Sequence, residues 1–537
     1  MSAARTFRDL RVYQLARAAS LEIFEASKSF PREERFSLTD QERRSSRATK
    51  AMISEAWGRR RYKAVFIGKI DEALGEATET QSWLDDAFDC GYLEHMPYDT
   101  EYLIQLDKAH VWHPFTQMRD WIAPDHEPLV LVAGHGPWVE DSLGKRYLDG
   151  NSSIWTNIHG HNHPTLNRAI CEQLAHVAHT SILGFTNPKA AELAKRLVAM
   201  LPGSSLTRVF YSDDGSTAIE VAIKMAIQYF LQNGHSQKLG FISFENAYHG
   251  DTLGASSLGG IGVFHDRFKS HQFPVTRIGS VEGLTAIDAS RVAGLVIEPL
   301  IQGAAGMRMW PVGMLKTLRE WCDENGVFLI FDEVMTGFGR TGRYFGCQRE
   351  EVFPDFLALA KGLTGGYLPL AATLTTDRVF AGFLGSYEEL RTFFYGHSYC
   401  GNSLGCAAAL ANLAIFEEER VLEKLQPKIE HLAERLRGIE GLVNVREIRR
   451  CGFIAGIEVA QKSGDQFDWR DQVGSQICLA ARRHGLLTRP IRDVIVLMLP
   501  LCVTADEIDL AVDAIGNGIV EVCSRLETTV PRTMDKG

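Results

Sequence analysis

The sequence contains no CxxC pair and no evenly spaced cysteine framework. Its ten cysteines are scattered from Cys90 to Cys523, a pattern that suggests neither structural zinc nor a secreted disulfide scaffold. No uninterrupted apolar run approaches the ~20 residues a membrane-spanning helix requires. Asp9, Arg11 and Arg17 break the amino-terminal text before the core of a signal peptide could form. An excess of basic residues is also missing: 57 Lys and Arg face 67 Asp and Glu, a net charge of -10, which argues against a general binder of nucleic acid or anionic membrane. No internal repeat or low-complexity tract is visible. These absences predict a cytoplasmic protein in a reducing compartment. What is present is a chain of 537 residues, 45% hydrophobic and 23% charged, long enough for roughly three to four folding units with a large buried core.

Two kinds of text follow one another. Up to about residue 95 the pattern is helical, rich in Arg and Glu and poor in glycine. Leu10, Val12, Leu15, Ala16, Ala19, Ile23 and Phe24 fall near helical spacing, Ser37 to Asp40 signals a second helix, and Arg43 to Glu55 and Phe66 to Leu93 continue the pattern. Three or four amphipathic helices packed as a bundle are predicted. From Tyr102 onward short β-rich runs alternate with helices. Arg208–Tyr211, Phe241–Phe244, Gly294–Ile297, Phe328–Phe331 and Phe356–Leu359 are each followed by polar or glycine-rich text, as parallel strands ending at a ligand-binding rim are.

Two of these runs carry chemistry. The run ending at Phe331 is followed by Asp332 and Glu333, and the run ending at Ala360 by Lys361 and the glycines Gly362, Gly365 and Gly366. A lysine that can hold an aldehyde as a Schiff base, and a carboxylate that can keep a ring nitrogen protonated, are what a pyridoxal phosphate site needs. Asp332 and Lys361 are therefore the candidate pair, although parallel strands commonly end in a polar residue simply because the chain is leaving the core. The loop Ser212 to Glu220 opens a helix. Gly215 and Ser216 there suit a phosphate, because a helix N-terminus presents free N–H groups and a positive dipole end, and a plain N-cap is the competing reading. Tyr248, after the strand Phe241–Phe244, could stack on a pyridine ring or simply pack. Glu298 and the segment Gln302 to Gly306 add an acid and small residues to the same rim.

Three other patterns are set aside. Gly337 to Gly342 spells GxGxxG, but Asp332 and Glu333 intervene after the strand and no helix opens at Gly342, so a dinucleotide fingerprint is not expected. His159, His161 and His163 alternate before Pro164 without the one-turn spacing of paired ligands, and no metal is predicted. Arg59, Arg60 and Arg61 beside Tyr62 and Lys63 read as a solvated helix face more readily than as an RNA contact.

The run Asp332 to Gly342 together with Lys361 resembles the signature of class III pyridoxal phosphate aminotransferases. His110 to Met118, Asn151 to Trp155 and His159 to His161 are similar to the 7,8-diaminopelargonate synthase family, the biotin-pathway enzymes that aminate 8-amino-7-oxononanoate. The similarity runs from about residue 105 to about 525. It implies a fold-type I α/β architecture: a large cofactor-binding domain over 161–404, and a small α+β domain built from 105–160 and 405–525. It also implies a homodimer with active sites shared between subunits. Separately, Phe7 to Tyr13, Leu38 to Gln41 and Arg43–Arg44 resemble the four-helix-bundle family related to proteins encoded in ribosomal RNA intervening sequences. For residues 1–95 that suggests an assembly module fused to the enzyme.

Carried over residue by residue, the resemblance makes Lys361 the Schiff-base lysine, Asp332 the partner of the ring nitrogen, Tyr248 the stacking ring, and Gly215 with Ser216 the phosphate loop. Ser398, in Tyr395 to Tyr399, contacts the cofactor phosphate of the neighbouring subunit. Gly396, Trp155, Phe115 and Ile154 line the substrate site, and Arg489 grips the substrate carboxylate with its planar donor fork. Lys361 then moves the proton between the donor carbon and the cofactor in each half-reaction. The best-known members take the amino group from S-adenosylmethionine and carry aromatic residues where this chain has Phe115 (a tyrosine there), Ile154 and Val496. Each replacement removes a hydroxyl or an aromatic face, and such faces attract a sulfonium by about 0.5 to 2 kcal/mol. A branch that uses lysine has similar text, so lysine is the expected donor and S-adenosylmethionine the alternative. Rival readings are another class III ω-aminotransferase and a scaffold or RNA-associated protein carrying a degenerate enzyme.

Overall fold

The computed structural model describes residues 6–90, 92 and 98–528. The chain divides into two compact units, residues 1–130 and 131–537. No helix among the described residues is long and apolar enough to cross a membrane.

The first unit is helical. Helices α1 (Arg11–Ala26), α2 (Leu38–Gly58) and α3 (Lys63–Asp89) pack together, and α4 (Thr100–His110) follows. Helix α2 begins where Ser37 to Asp40 signals it, with Ser37 at the N-cap position, and α4 is capped by Asp99, which accepts the Tyr102 N–H at 2.9 Å. Helix α1 does not bury the face its spacing suggests. Ser20 and Ile23 are buried whereas Val12 and Leu15 are exposed, because the main helix partner of α1 among the described residues is α2 and a two-helix contact covers a narrow stripe. Leu93, the end of the last predicted helical run, lies outside the described residues.

The second unit is built on a seven-stranded sheet. Its strands are β1 (Leu206–Ser212), β2 (Gly240–Phe244), β3 (Val275–Ile278), β4 (Val292–Ile297), β5 (Phe328–Asp332), β6 (Phe356–Leu359) and β7 (Ala371–Thr376). Their order across the sheet is β1-β7-β6-β5-β4-β2-β3. All five predicted runs lie in it. Strand β7, which the sequence reading does not identify, inserts antiparallel between β1 and β6, while β6, β5, β4, β2 and β3 are mutually parallel. Every residue of β4 to β7 is buried. Helices on both faces demand this, and it explains why these strands read as continuous apolar runs. Truncating one such side chain, Phe331→Ala for example, costs about 3–5 kcal/mol.

Two smaller sheets complete the unit. One joins Leu131–His135, Trp138–Asp141 and Arg146–Asp149 to Leu486–Leu487, which pairs parallel with Leu148 and Asp149. The other joins Val445–Cys451, Ile454–Val459, Val494–Leu497 and Pro490–Ile491 in antiparallel fashion. Segments distant in sequence thus pair within each small sheet.

Candidate active site

Register brings the acid and the amine together. Asp332 ends β5 and pairs with Ala358 of the adjacent parallel strand β6, so Lys361 leaves the sheet three residues further on at the same rim. Parallel neighbours lie about 4.8 Å apart. Lys361 opens a short 3-10 turn with φ 47, a left-handed conformation for a residue with a side chain, and Gly365 and Gly366 continue the turn at φ 66 and 87. Burial pushes the Lys361 amine down to about 8 against the pull of Asp332 and Glu298. Among the described residues no carboxylate forms an ion pair with it. Its Nζ instead lies 4.7 Å from the centre of the Trp155 ring.

Asp332 is buried and fully engaged. Its Oδ1 accepts the Val334 N–H at 3.1 Å, and its Oδ2 lies 2.8 Å from Nδ1 of His249. His249 is buried in turn, and its Nε2 has no hydrogen-bond partner among the described residues. Glu298, one residue beyond β4, accepts the Tyr248 N–H at 3.2 Å through Oε1 and the Gly303 N–H at 2.8 Å through Oε2. Burial raises its pKa to about 7, with the neighbouring Asp332 adding to the rise. The Tyr248 hydroxyl donates to Asp251 at 2.5 Å, and burial pushes that phenol up. His249 is the member of this set that sequence reasoning missed. Its position beside Tyr248 was the available signal, but a histidine next to an aromatic says nothing of an acid 83 residues away.

The candidate phosphate loop opens helix α5 (Gly215–Gln232). Asp214 caps it, accepting the Thr217 N–H at 3.0 Å, so the N-cap and phosphate-loop readings of Ser212 to Ser216 are compatible. The first-turn N–H groups of Gly215 and Ser216 have no helical acceptor, as at any helix start. Two glycines keep the space tight: a Cβ on Gly215 would meet Val334 at 2.7 Å, and one on Gly250, whose φ is +115, would meet the Ser216 Oγ at 2.1 Å. At the same helix start Ser212 Oγ and Asp213 Oδ1 are buried without hydrogen-bond partners among the described residues. A low-pKa amine, a firmly held carboxylate on the next strand and an open helix N-terminus are together the donor set that pyridoxal phosphate requires, and the residues present fit it.

Trp155 is placed by an unusual backbone. Ser152, Ser153, Ile154 and Trp155 all have positive φ, 45, 50, 64 and 67, each unfavourable by about 1–2 kcal/mol for a non-glycine residue. The turn is held from several sides. Ser152 Oγ donates to the Met498 carbonyl at 2.6 Å, the Asn151 and Ser153 N–H groups donate to Asp149, and Trp155 Nε1 donates to Asn151 at 2.8 Å. Buried Arg340 reaches the Asn157 carbonyl at 2.7 Å and the Leu499 carbonyl at 2.8 Å from the far side. Arg340 lies within the GxGxxG run, so those glycines shape a turn around a buried guanidinium.

The other candidates are more dispersed. Gly396 and Ser398 are exposed in the segment before α6 (Ser403–Glu418). His397 between them lies 2.9 Å from Asp213, which brings this segment to the start of α5. Arg489 is exposed, and no side chain among the described residues accepts from its guanidinium. Ile154 is 46% exposed, whereas Val496 is buried beside Met335 and Trp155. Phe115 belongs to the first unit, where it has φ 51 and is exposed. The three histidines have separate partners: His159 bonds Asn412 at 2.8 Å, His161 bonds Asp149 at 3.1 Å, and His163 caps the helix that starts at Pro164.

A sheet whose parallel strands deliver an amine and a carboxylate to one rim, with a helix N-terminus beside them, is the framework of a pyridoxal phosphate aminotransferase. The chain belongs to the class-III aminotransferase family, whose model matches residues 121–519. Residues 8–104 match a second model, 23S rRNA-intervening sequence protein. The adenosylmethionine-8-amino-7-oxononanoate aminotransferase of Geobacter sulfurreducens is 48% identical over 79% of this chain and 98% of its own length. That of Aquifex aeolicus is 45% identical over 79% of this chain and 98% of its own. Among solved structures, the enzyme of the same name from Methanocaldococcus jannaschii superposes with a TM-score of 0.77 at 40% identity, covering 79% of this chain and 99% of that one. An (S)-enantioselective omega-transaminase from Thermomicrobium roseum gives 0.75 at 30% identity, covering 80% and 100%.

Proposed function

We propose that this protein transfers an amino group to 8-amino-7-oxononanoate, forming 7,8-diaminononanoate for biotin biosynthesis, with lysine as the donor. The observation that carries the reaction class is the placement of Lys361 and Asp332 at the ends of adjacent parallel strands. The acceptor is supported by relatives up to 48% identical whose names contain it.

When bound, pyridoxal phosphate supplies an aldehyde that links covalently to amines and a ring that accepts the electron pair left when a neighbouring carbon loses its proton. Lys361 would hold the aldehyde and, when free, would act as a base. With its pKa held to about 8, roughly a tenth of it is neutral at pH 7, against well under a thousandth of an ordinary lysine. Asp332 would keep a proton on the ring nitrogen, and His249 orients the carboxylate through its 2.8 Å contact. Tyr248 would pack against the ring, Gly215 and Ser216 would offer N–H groups to the phosphate, and Ser398 would serve the phosphate of a second subunit in a homodimer. Trp155, with Ile154 and Gly396, would line the substrate space, and Arg489 would bind the substrate carboxylate as a planar fork.

The donor reading rests on Phe115, Ile154 and Val496, which lack the aromatic faces or hydroxyl that favour a sulfonium. The relatives' names specify adenosylmethionine, so the two amines must be compared directly. Purified protein given 8-amino-7-oxononanoate should form the diamine with lysine. Activity with S-adenosylmethionine and none with lysine overturns the donor assignment, and activity with neither, but with other amines and ketones, makes the chain a different class III transaminase.

The enzyme is placed in the cytoplasm, with 161–404 as its cofactor domain and 105–160 plus 405–525 as its small domain. Residues 1–95 are assigned to assembly beyond the dimer. In support, α1 exposes Val12, Leu15 and Leu21, and α3 exposes Val65, Ile67 and Leu74. An unchanged subunit count after their deletion refutes this role.

A further inference from the structure

We infer that the second unit carries a binding site for a small soluble polyanion, of the phosphate or polycarboxylate class, separate from the cofactor pocket. The site is a cleft of about 810 Å³ between the loop after β5, the start of helix α7 (Val421–Glu440) and the turn that joins Val445–Cys451 to Ile454–Val459.

Its floor is two glycine turns pressed together. Gly342 has φ +87 and Gly452 has φ +61, and a Cβ on Gly452 would lie 2.3 Å from the Thr341 carbonyl carbon. Each turn has an arginine next to it: Arg343 follows Gly342, and Arg450 precedes Cys451 and Gly452. Arg349 completes the set and donates to the Thr341 carbonyl at 2.8 Å. No carboxylate pairs with any of these three guanidinium groups among the described residues. That is an uncommon concentration of unneutralised charge in a chain of net charge -10.

Two further features point to an anion. Thr341 lines the cleft, is 1% exposed, and has its Oγ1 buried without a partner among the described residues, an orphan hydroxyl of the kind that a ligand or an ordered water satisfies. Helix α7 brings its positive end to the wall through Leu422 and Glu423 of its first turn, while its Gln426 donates to the Gly342 carbonyl at 3.1 Å and fixes the helix against the floor. Glu423 is taken by Arg420 at 3.3 Å, leaving Glu351 as the one lining acid without a basic partner among the described residues. Three forked guanidinium groups against one free carboxylate select an anion with several oxygens.

The test is calorimetric titration of cofactor-loaded, full-length protein with inorganic pyrophosphate. Saturable binding to one site per chain is expected, weakened on the order of ten- to a hundredfold by Arg450→Ala and by Arg343→Ala, as loss of a charge-assisted contact requires. Visible absorbance and turnover of both variants should match the parent, which certifies that they fold. The inference is overturned by an absence of saturable binding, by unchanged affinity in both variants, or by a fall in cofactor absorbance during titration, which would place the anion in the phosphate loop of α5.

Discussion

His249 Nδ1 lies 2.8 Å from Asp332 Oδ2, with both side chains buried. The histidine arrives from the loop after β2 and the aspartate from the end of β5, so the carboxylate is oriented by a group two strands away in the sheet. Orientation of this kind is what a preorganised electrostatic site needs.

Removing either partner should separate their roles. Asp332→Asn deletes the negative charge and is expected to lower turnover by about three orders of magnitude or more, while His249→Ala leaves the charge but orphans one buried oxygen and should lower kcat/KM by about ten- to a hundredfold. Steady-state kinetics of both variants checks this. Equal losses would make His249 a participant on the same footing as Asp332.

The depressed pKa of Lys361 yields a pH profile. Only the neutral amine attacks an aldehyde, so after removal of the cofactor the rate of its recapture should rise with pH and level off above about 8. Stopped-flow absorbance follows the reaction. A rate still climbing past pH 10 would indicate an ordinary, solvated lysine.

Much of this arrangement was legible in the sequence. Apolar runs ending in Asp332 and Lys361 marked neighbouring strands because a parallel sheet covered on both faces has no polar alternation to obscure the pattern. Strand β7 escaped notice: Ala371–Thr376 has three threonines among six residues, and its burial comes from its place between β1 and β6, which no local pattern records. His249 and the left-handed run from Ser152 to Trp155 escaped for a related reason. Both are stabilised by partners hundreds or tens of residues away, as Ser152 is by Met498.

In the first unit, Glu42 is wholly buried and neither carboxylate oxygen has a hydrogen-bond partner among the described residues. Burial raises its pKa from 4.5 to about 7, with Arg43 opposing. Because the folded-state value exceeds the unfolded one, stability is lost as pH rises from about 4.5 through 7. Glu42→Gln should therefore leave hydrogen exchange of α2 amides unchanged at pH 4 and slow it at pH 8, by a factor corresponding to about 1–3 kcal/mol. Equal protection at pH 8 contradicts the burial argument.

Ile154→Trp restores an aromatic face at the exposed end of the left-handed turn. Its effect on kcat/KM with S-adenosylmethionine should be a gain of about two- to thirtyfold, the range that cation–π attraction allows, with little gain for lysine. A gain of the same size for both donors would trace the effect to packing.

The account stands on Lys361 as the residue that carries the cofactor. Borohydride reduction of the loaded protein, followed by peptide mass mapping, tests it most directly. The pyridoxyl adduct is predicted on the peptide containing Lys361 and nowhere else; an adduct on another lysine, or none, contradicts it.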